Sequence, residues 1–283
     1  MSEFVSPVLL RHEVGRRLRA AREAAGLTLE YSAKYLDTSI SSLSRIENGA
    51  GLVTVHMVRT MMDIYDCRMD ELLDLVRAAR LPGWWRAYGI ANTDFVALET
   101  GASQMLNYQP SFVPGLLQTA DYARALFLSS RRRRDESWIS DQLAARVIRQ
   151  ERLTDDDHPL VLNAVIDELV LRKPVGGASV MRAQLRHLAL ITELPTVTLR
   201  VLPGSVVCNE AMEGGFSVLD FPLKGQPSLA HVEHALGMER KDRTEPVREA
   251  RLRFEHLRSL ALSPADSVEL IERVAEELWS SRE

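Results

Sequence analysis

Between Val14 and Ala79 apolar residues recur every three or four positions in short runs, each stopped by Gly, Asp, Ser or Thr, which is the pattern of amphipathic helices with little strand character. Val14, Leu18, Ala21 and Ala25 predict a first helix ended by Gly26, and Thr28 caps a second that ends near Leu36. The turn Asp37-Thr38-Ser39 leads into a third helix with Leu43 and Ile46 inward and Asn48-Gly49 at its end. Two more follow, from Thr54 to Tyr65 and from Met69 to Ala79. Leu81-Pro82-Gly83 then breaks the pattern, because proline disfavours helix in the residue before it and glycine is free to turn. The chain is read as a five-helix bundle over residues 1–80 and a second domain over residues 84–283.

The second part has another texture. Trp84-Trp85, a helical Asp94 to Leu106 and a Pro-rich stretch Gln109 to Gly115 lead to a helix capped by Thr119 and running through Tyr122 and Leu126, then to Arg131-Arg132-Arg133-Arg134 and a helix from Ser137 to Leu153. Strands are predicted at Leu160 to Ile166, Val197 to Leu202, Phe216 to Phe221 and Leu229 to His234, with a helix from Val180 to Leu194 between the first two. Short loops such as Lys224-Gly225-Gln226-Pro227 predict a mostly antiparallel sheet, so the second domain is α+β. A last helix is marked by Ser263 as cap, Pro264 and Asp266 in its first turn, and Ile271, Val274 and Leu278 facing inward. Its amphipathic surface, ending in Trp279, is a candidate dimer face.

Composition narrows the classes. Hydrophobic residues make up 46% of the 283 and charged residues 26%, which is ordinary for a soluble globular chain. With 35 Lys and Arg against 39 Asp and Glu the formal charge is -4, so nucleic acid could be bound only through a local basic surface. Cys67 and Cys208 lie in no Cys/His spacing, which supports neither a disulfide framework nor a structural zinc site, and no cofactor or metal is expected. No basic start followed by an apolar run is present, and no uncharged stretch approaches the ~20 residues that span a bilayer. A cytoplasmic chain, at the nucleoid if it binds DNA, is the expectation.

The third helix carries the chemistry. With Leu43 and Ile46 buried, Ser41, Arg45 and Asn48 fall roughly opposite and Ser42 and Ser44 on the flanks, at ~100° per residue. No acidic residue lies between Thr38 and Arg45. A carboxylate there would meet phosphate repulsion, whereas serine hydroxyls donate or accept and arginine forks onto guanine O6 and N7. Two helices joined by a tight turn, with such a face on the second, form the geometry that enters the major groove.

These residues resemble a known family. The stretch Leu18 to Leu73, with Arg22, Gly26-Leu27-Thr28, Ala33, Leu36, Ser39, Leu43, Ser44-Arg45-Ile46-Glu47-Asn48-Gly49 and Leu72, is similar to the Xre-type helix-turn-helix of phage repressors and bacterial regulators. The resemblance implies five helices and base contacts from Ile40, Ser41 and Arg45; Ser39, Ser42 and Ser44 are the further candidates on the same DNA-facing surface. It also implies an internal ion pair between Arg22 and Glu47, against a direct phosphate contact for Arg22. Periodicity allows Ile40 on the edge of the core; the family pattern exposes it, where it could meet a thymine methyl. The sequence departs from the pattern at Leu29, where a Gln often reaches a phosphate, and in Ala50-Gly51-Leu52-Val53, which has no basic residue. Arg16, Arg17 and Arg19 on the first helix and Lys34 on the second are the remaining candidates for phosphate, against a solubilising role. So few contacts imply a dimer on a two-fold symmetric site of double-stranded DNA.

The stretch from Trp85 onward resembles the C-terminal domain of actinobacterial WhiJ-like, antitoxin-like regulators. The residues that carry this are Tyr108-Gln109, Val113-Pro114-Gly115-Leu116-Leu117-Gln118-Thr119, Asp121-Tyr122-Ala123, Arg146, Arg149-Gln150, Asp167-Glu168, Leu171-Arg172, Val175-Gly176-Gly177, Met181, Gln184-Leu185, Val201-Leu202-Pro203 and Phe216. The resemblance implies a repressor whose action is relieved or altered by a small companion protein encoded nearby. On the residues alone, Val113 to Thr119 builds a packed turn, a hinge or a pocket wall, and the four arginines form a solvated loop or a contact to DNA backbone or an acidic partner. Two rival classes stand beside the regulator. One is a protein-interaction module with little specific DNA binding. The other is a metal-dependent nuclease using Asp167, Glu239 and Lys241, for which the spacing is weak. His231, Glu233 and His234 do not suit one metal, since the first two share a strand face and the third points away. No phosphate loop, nucleophile elbow or Cys/His nucleophile is present, so no enzyme is expected.

Overall fold

A computed structural model describes residues 6–91, 95–131, 134–222, 226–234 and 237–279. The chain divides at Gly101/Ala102 into two compact units.

The first unit is helical: α1 (Pro7–Ala24), α2 (Leu29–Tyr35), α3 (Ile40–Glu47), α4 (Val55–Ile64), α5 (Asp70–Ala79) and the short α6 (Phe95–Glu99). Three of these start where a hydroxyl replaces a missing carbonyl: Thr28, Ser39 and Thr54 accept the N–H groups of Tyr31, Ser42 and Met57. α1 begins well before Val14, because Pro7 suits the first turn and Val8, Leu9 and Leu10 are all buried. Leu18, Leu43, Met61 and Leu72 fill the centre of the bundle. α1 and α3 cross so closely at Gly15 that a Cβ there would lie 2.4 Å from the Ile46 carbonyl oxygen. Leu81-Pro82-Gly83 ends the bundle but not the compact unit. Trp85 is fully buried after it, with Gly83 leaving room for the indole, and Ser6 Oγ donates to Ala97 O at 2.6 Å where α6 meets α1.

The second unit runs β1 (Gln104–Gln109), α7 (Ala120–Ser129), α8 (Glu136–Glu151), β2 (Val161–Asp167), α9 (Leu169–Arg172), α10 (Ala178–Ile191), β3 (Val197–Leu202), α11 (Asn209–Met212), β4 (Phe216–Asp220), β5 (Leu229–His234), β6 (Gly237–Lys241), α12 (Thr244–Leu260) and α13 (Pro264–Trp279). Its sheet has the order β3-β2-β1-β4-β5-β6. β1 pairs parallel with β2 and β2 with β3, while the β1–β4, β4–β5 and β5–β6 pairs are antiparallel, so the sheet is mixed and mostly antiparallel. The parallel part follows from the helical crossovers α7–α8 and α9–α10, since parallel neighbours cannot be joined by a tight turn. α12 packs on β1, β3, β4 and β5, setting its Phe254 and Leu257 among Leu106, Tyr108 and Val218.

Several expectations change here. The helix read over Asp94 to Leu106 is the short α6 followed by β1; Asp94 itself lies outside the described residues. In β1, Met105, Leu106, Asn107 and Tyr108 are all buried, so both faces are covered and the polar–apolar alternation that announces a strand is missing. β6 and α12 were not anticipated. Leu278 is not inward but 44% exposed, whereas Trp279 is buried and donates its indole Nε1 to Leu171 O at 2.9 Å. Trp279 is therefore part of this unit's own packing, not a free dimer face. Lys224 and Gly225 of the expected hairpin loop lie outside the described residues, as do Arg132 and Arg133. Arg134 stacks its guanidinium over Trp138, 4.3 Å from the ring centre.

The segment Val113 to Thr119 is pinned from two helices. Gln150 on α8 donates Nε2 to Gln118 O at 2.7 Å, and Gln184 on α10 donates Nε2 to Leu117 O at 2.7 Å while its Oε1 accepts Thr119 N–H at 2.7 Å. With Val113, Leu116 and Leu117 buried, these amides satisfy backbone groups that would otherwise be orphaned.

Candidate nucleic-acid interface

α2 and α3 pack against each other through Ala33, Leu36 and Leu43, and the turn between them passes through Asp37 at φ 49°, a left-handed position that aspartate tolerates. Ser39 Oγ accepts the Ser42 N–H at 3.0 Å and donates to Ser42 Oγ at 2.8 Å, which fixes the entry to α3. Leu43 and Ile46 turn into the core and leave Ile40, Ser41, Ser42 and Arg45 exposed, with Ser44 half-buried and accepting from Asn48 Nδ2 at 3.3 Å. Ile40 is 49% exposed, which settles its two readings in favour of the surface. Among the described residues, no hydrogen bond or ion pair engages the Arg45 guanidinium. A long, charged side chain held on a rigid helix with serines on either side is free to reach a base edge.

Behind this face, Arg22 donates Nε and Nη2 to the two carboxylate oxygens of Glu47 at 2.7 and 2.8 Å, and Nη1 to Leu27 O at 2.8 Å. Both side chains are buried, and the bidentate contact raises the Arg22 pKa against the opposing effect of burial. The pair joins α1 to the last turn of α3 and so sets the angle at which Arg45 is presented. The structure does not leave the arginines of α1 equally available. Arg16 and Arg17 both donate to Glu13, at 2.8 and 2.7 Å, and Arg19 donates to Glu23 at 2.8 Å. Burial pushes the Glu13 pKa up, but the Arg16 and Arg17 hydrogen bonds outweigh it and leave the carboxyl below its usual value. Arg17, a candidate for phosphate, lies between the buried Glu13 and the exposed Glu71 of α5, since a buried carboxylate needs cationic partners. Lys34 is exposed on α2.

Beside Lys34 the structure brings out two residues that the sequence reading missed. Tyr31 and Tyr35 are one helical turn apart on α2, both largely exposed, with ring centres 5.9 Å apart. The signal was available: with Ser32 and Ala33 buried, Tyr31 and Tyr35 fall outside the apolar stripe of a short helix. Their hydroxyls suit phosphate oxygens.

The nuclease constellation does not assemble. Asp167 ends β2, while Glu239 and Lys241 lie on β6, four strands away or about 19 Å at the usual strand spacing. Asp167 accepts the Leu169 N–H at 2.8 Å, and Lys241 pairs with Glu239 at 2.5 Å. His231 is buried in β5, whereas Glu233 and His234 are not.

Comparison with known proteins fits these two units. The family described as "Domain of unknown function (DUF5753)" matches residues 92–273, more than half of the chain. The chain belongs to the DUF5753 family. Residues 13–76 match the family described as "Helix-turn-helix domain". The uncharacterized HTH-type transcriptional regulator YazB of Bacillus subtilis (strain 168) is 40% identical over 58 residues, which are 20% of this chain and 84% of that protein. No solved structure matches the chain. This DUF5753 chain is thus a DNA-binding regulator of the helix-turn-helix kind. Among the described residues no helix is long and apolar enough to cross a membrane.

Proposed function

We propose that the chain is a sequence-specific transcriptional repressor of the Xre type that works at the nucleoid as a homodimer on double-stranded DNA. The observation that carries this reading is the unengaged Arg45 guanidinium on the serine-rich face of α3, on a helix stretch without a carboxylate. Arg45 reads guanine O6 and N7, Ser41, Ser42 and Ser44 approach neighbouring base edges, and Ile40 meets a thymine methyl. Ser39 and Lys34 face phosphates, with the Tyr31 and Tyr35 hydroxyls beside them. Each copy then neutralises few phosphates, and since each contributes a salt slope of only about -0.9, useful affinity requires two copies. A two-domain division, with a helix-turn-helix reader followed by a domain that receives a small companion protein encoded nearby, accounts for the length of chain that the reader leaves over.

The test is a footprint on the DNA upstream of the protein's own gene, across a salt series and with and without the companion. A symmetric, salt-sensitive footprint that the companion alters is expected. Arg45→Ala weakens specific binding by about 1–3 kcal/mol with the fold intact. Unchanged operator affinity in folded Arg45→Ala protein removes the base-reading role. A second reading, a protein-interaction bundle, is favoured by the exposed Tyr31–Tyr35 pair, and it predicts binding without sequence preference and no two-fold footprint.

A further inference from the structure

Cys208 immediately precedes α11, Glu210 lies on it, and His256 is on α12, which packs against α11. Cys208 Sγ donates to Glu210 Oε2 at 3.0 Å, and His256 Nδ1 lies 3.3 Å from Glu210 Oε1. One donor atom from each of the three falls within 4.8 Å of the others, and among the described residues no other group of His, Cys, Asp and Glu meets that condition. Cys208 is buried, Glu210 half-buried and His256 exposed, so the cluster is closed on its sulfur side and open to solvent on the imidazole side. Around it, Asn209 Nδ2 donates to Glu213 Oε1 at 3.0 Å and Arg253 pairs with the same carboxylate, so Glu213 is engaged elsewhere.

We propose that Cys208, Glu210 and His256 form a binding site for one divalent cation of the zinc class, with a fourth position open to water or to a ligand from solvent. A tetrahedral ion with Zn–S of about 2.3 Å and Zn–N and Zn–O of about 2.0–2.2 Å has donor–donor edges of about 3.3–3.7 Å, so donors that lie within 4.8 Å of one another need draw in by about 1 Å at most to share one ion. The 3.0 Å between sulfur and carboxylate widens slightly as the thiol proton leaves to solvent and the cation takes its place. Thiolate and carboxylate together then carry two negative charges beside a neutral imidazole, which balances a divalent ion. Sulfur and nitrogen donors select zinc, cobalt or nickel over magnesium and calcium. Binding ties α11 to α12, which covers the sheet.

The experiment uses the full chain in a Cys67→Ser background, so that Cys208 is the sole thiol, stripped with a chelator and titrated with Co²⁺ and then Zn²⁺. One Co²⁺ per chain is expected, with a near-ultraviolet thiolate-to-cobalt band that Zn²⁺ displaces. Cys208→Ser abolishes the band. His256→Gln changes an exposed helix position without disturbing the core, and it weakens binding at least about tenfold with helical circular dichroism unchanged. Absence of the band in the stripped chain, or affinity unaltered in folded His256→Gln protein, overturns the proposal.

Discussion

The helix-turn-helix unit is closed by a buried arginine–carboxylate pair, whereas the sheet unit is closed by strand pairs and by amide and arginine side chains that satisfy backbone carbonyls. In the first, Arg22 and Glu47 meet across 25 residues and are both buried. In the second, Gln150 and Gln184 hold the Val113–Thr119 segment, and β1 is clasped between β2 and β4, whose residues lie far along the chain. The contrast has a physical basis. A small bundle must fix the angle between α1 and α3 with few contacts, and a bidentate arginine–carboxylate fork is directional. A larger unit has enough buried surface that its polar groups need only be satisfied.

Breaking each closure separately tests this contrast. The largest effect is expected from Glu47→Ala, which strands the buried Arg22 cation and destabilises the first unit by about 3–5 kcal/mol. In urea unfolding of the full chain followed by hydrogen exchange, protection in α1 and α3 falls while β1 and β2 keep theirs. A loss below about 1 kcal/mol would mean that the pair is replaceable by solvent. Gln184→Leu keeps most of the side-chain volume but orphans Thr119 N–H and Leu117 C=O, at a cost of about 1–3 kcal/mol confined to the second unit. Equal destabilisation of both units by either change would erase the distinction.

The smallest effect concerns acid. Glu13 has a folded pKa below its ordinary value, so its contribution to stability is present above that ordinary value of 4.5 and is lost as pH falls through the lower folded one. Glu13→Gln protein should therefore lose less stability than the parent between about pH 5 and pH 3, by under about 1 kcal/mol, in thermal melts across that range. Identical pH profiles would show that Arg16 and Arg17 give Glu13 no net stabilisation.

What could be read before the structure also differs between the two units. In the first, helices announce themselves through spacings of three and four and through caps such as Thr28, Ser39 and Thr54, all decided within one turn. The outward position of Arg45 followed from Leu43 and Ile46 alone. In the second, β2 to β5 were legible, but the buried β1 and the exposed edge strand β6 were not. Leu106 sits opposite Val218 and beside Asn163, so its strand state depends on partners that no local window contains. α12 is strongly charged along its length and carries only a thin apolar stripe, Val247, Phe254 and Leu257, too sparse to mark a packed helix locally.

By itself, then, the sequence determined the helical bundle, the turn before α3, the serine and arginine face, the α+β character of the rest and the cap of α13, because each rests on interactions between residues a few positions apart. Only the tertiary structure decided that Ile40 is exposed, that Arg17 turns to Glu13 and Glu71, that Trp279 is buried against Leu171, and that His256 meets Cys208 and Glu210. Those outcomes depend on which distant surfaces come together, and neither periodicity nor spacing along one chain encodes the distance between α11 and α12.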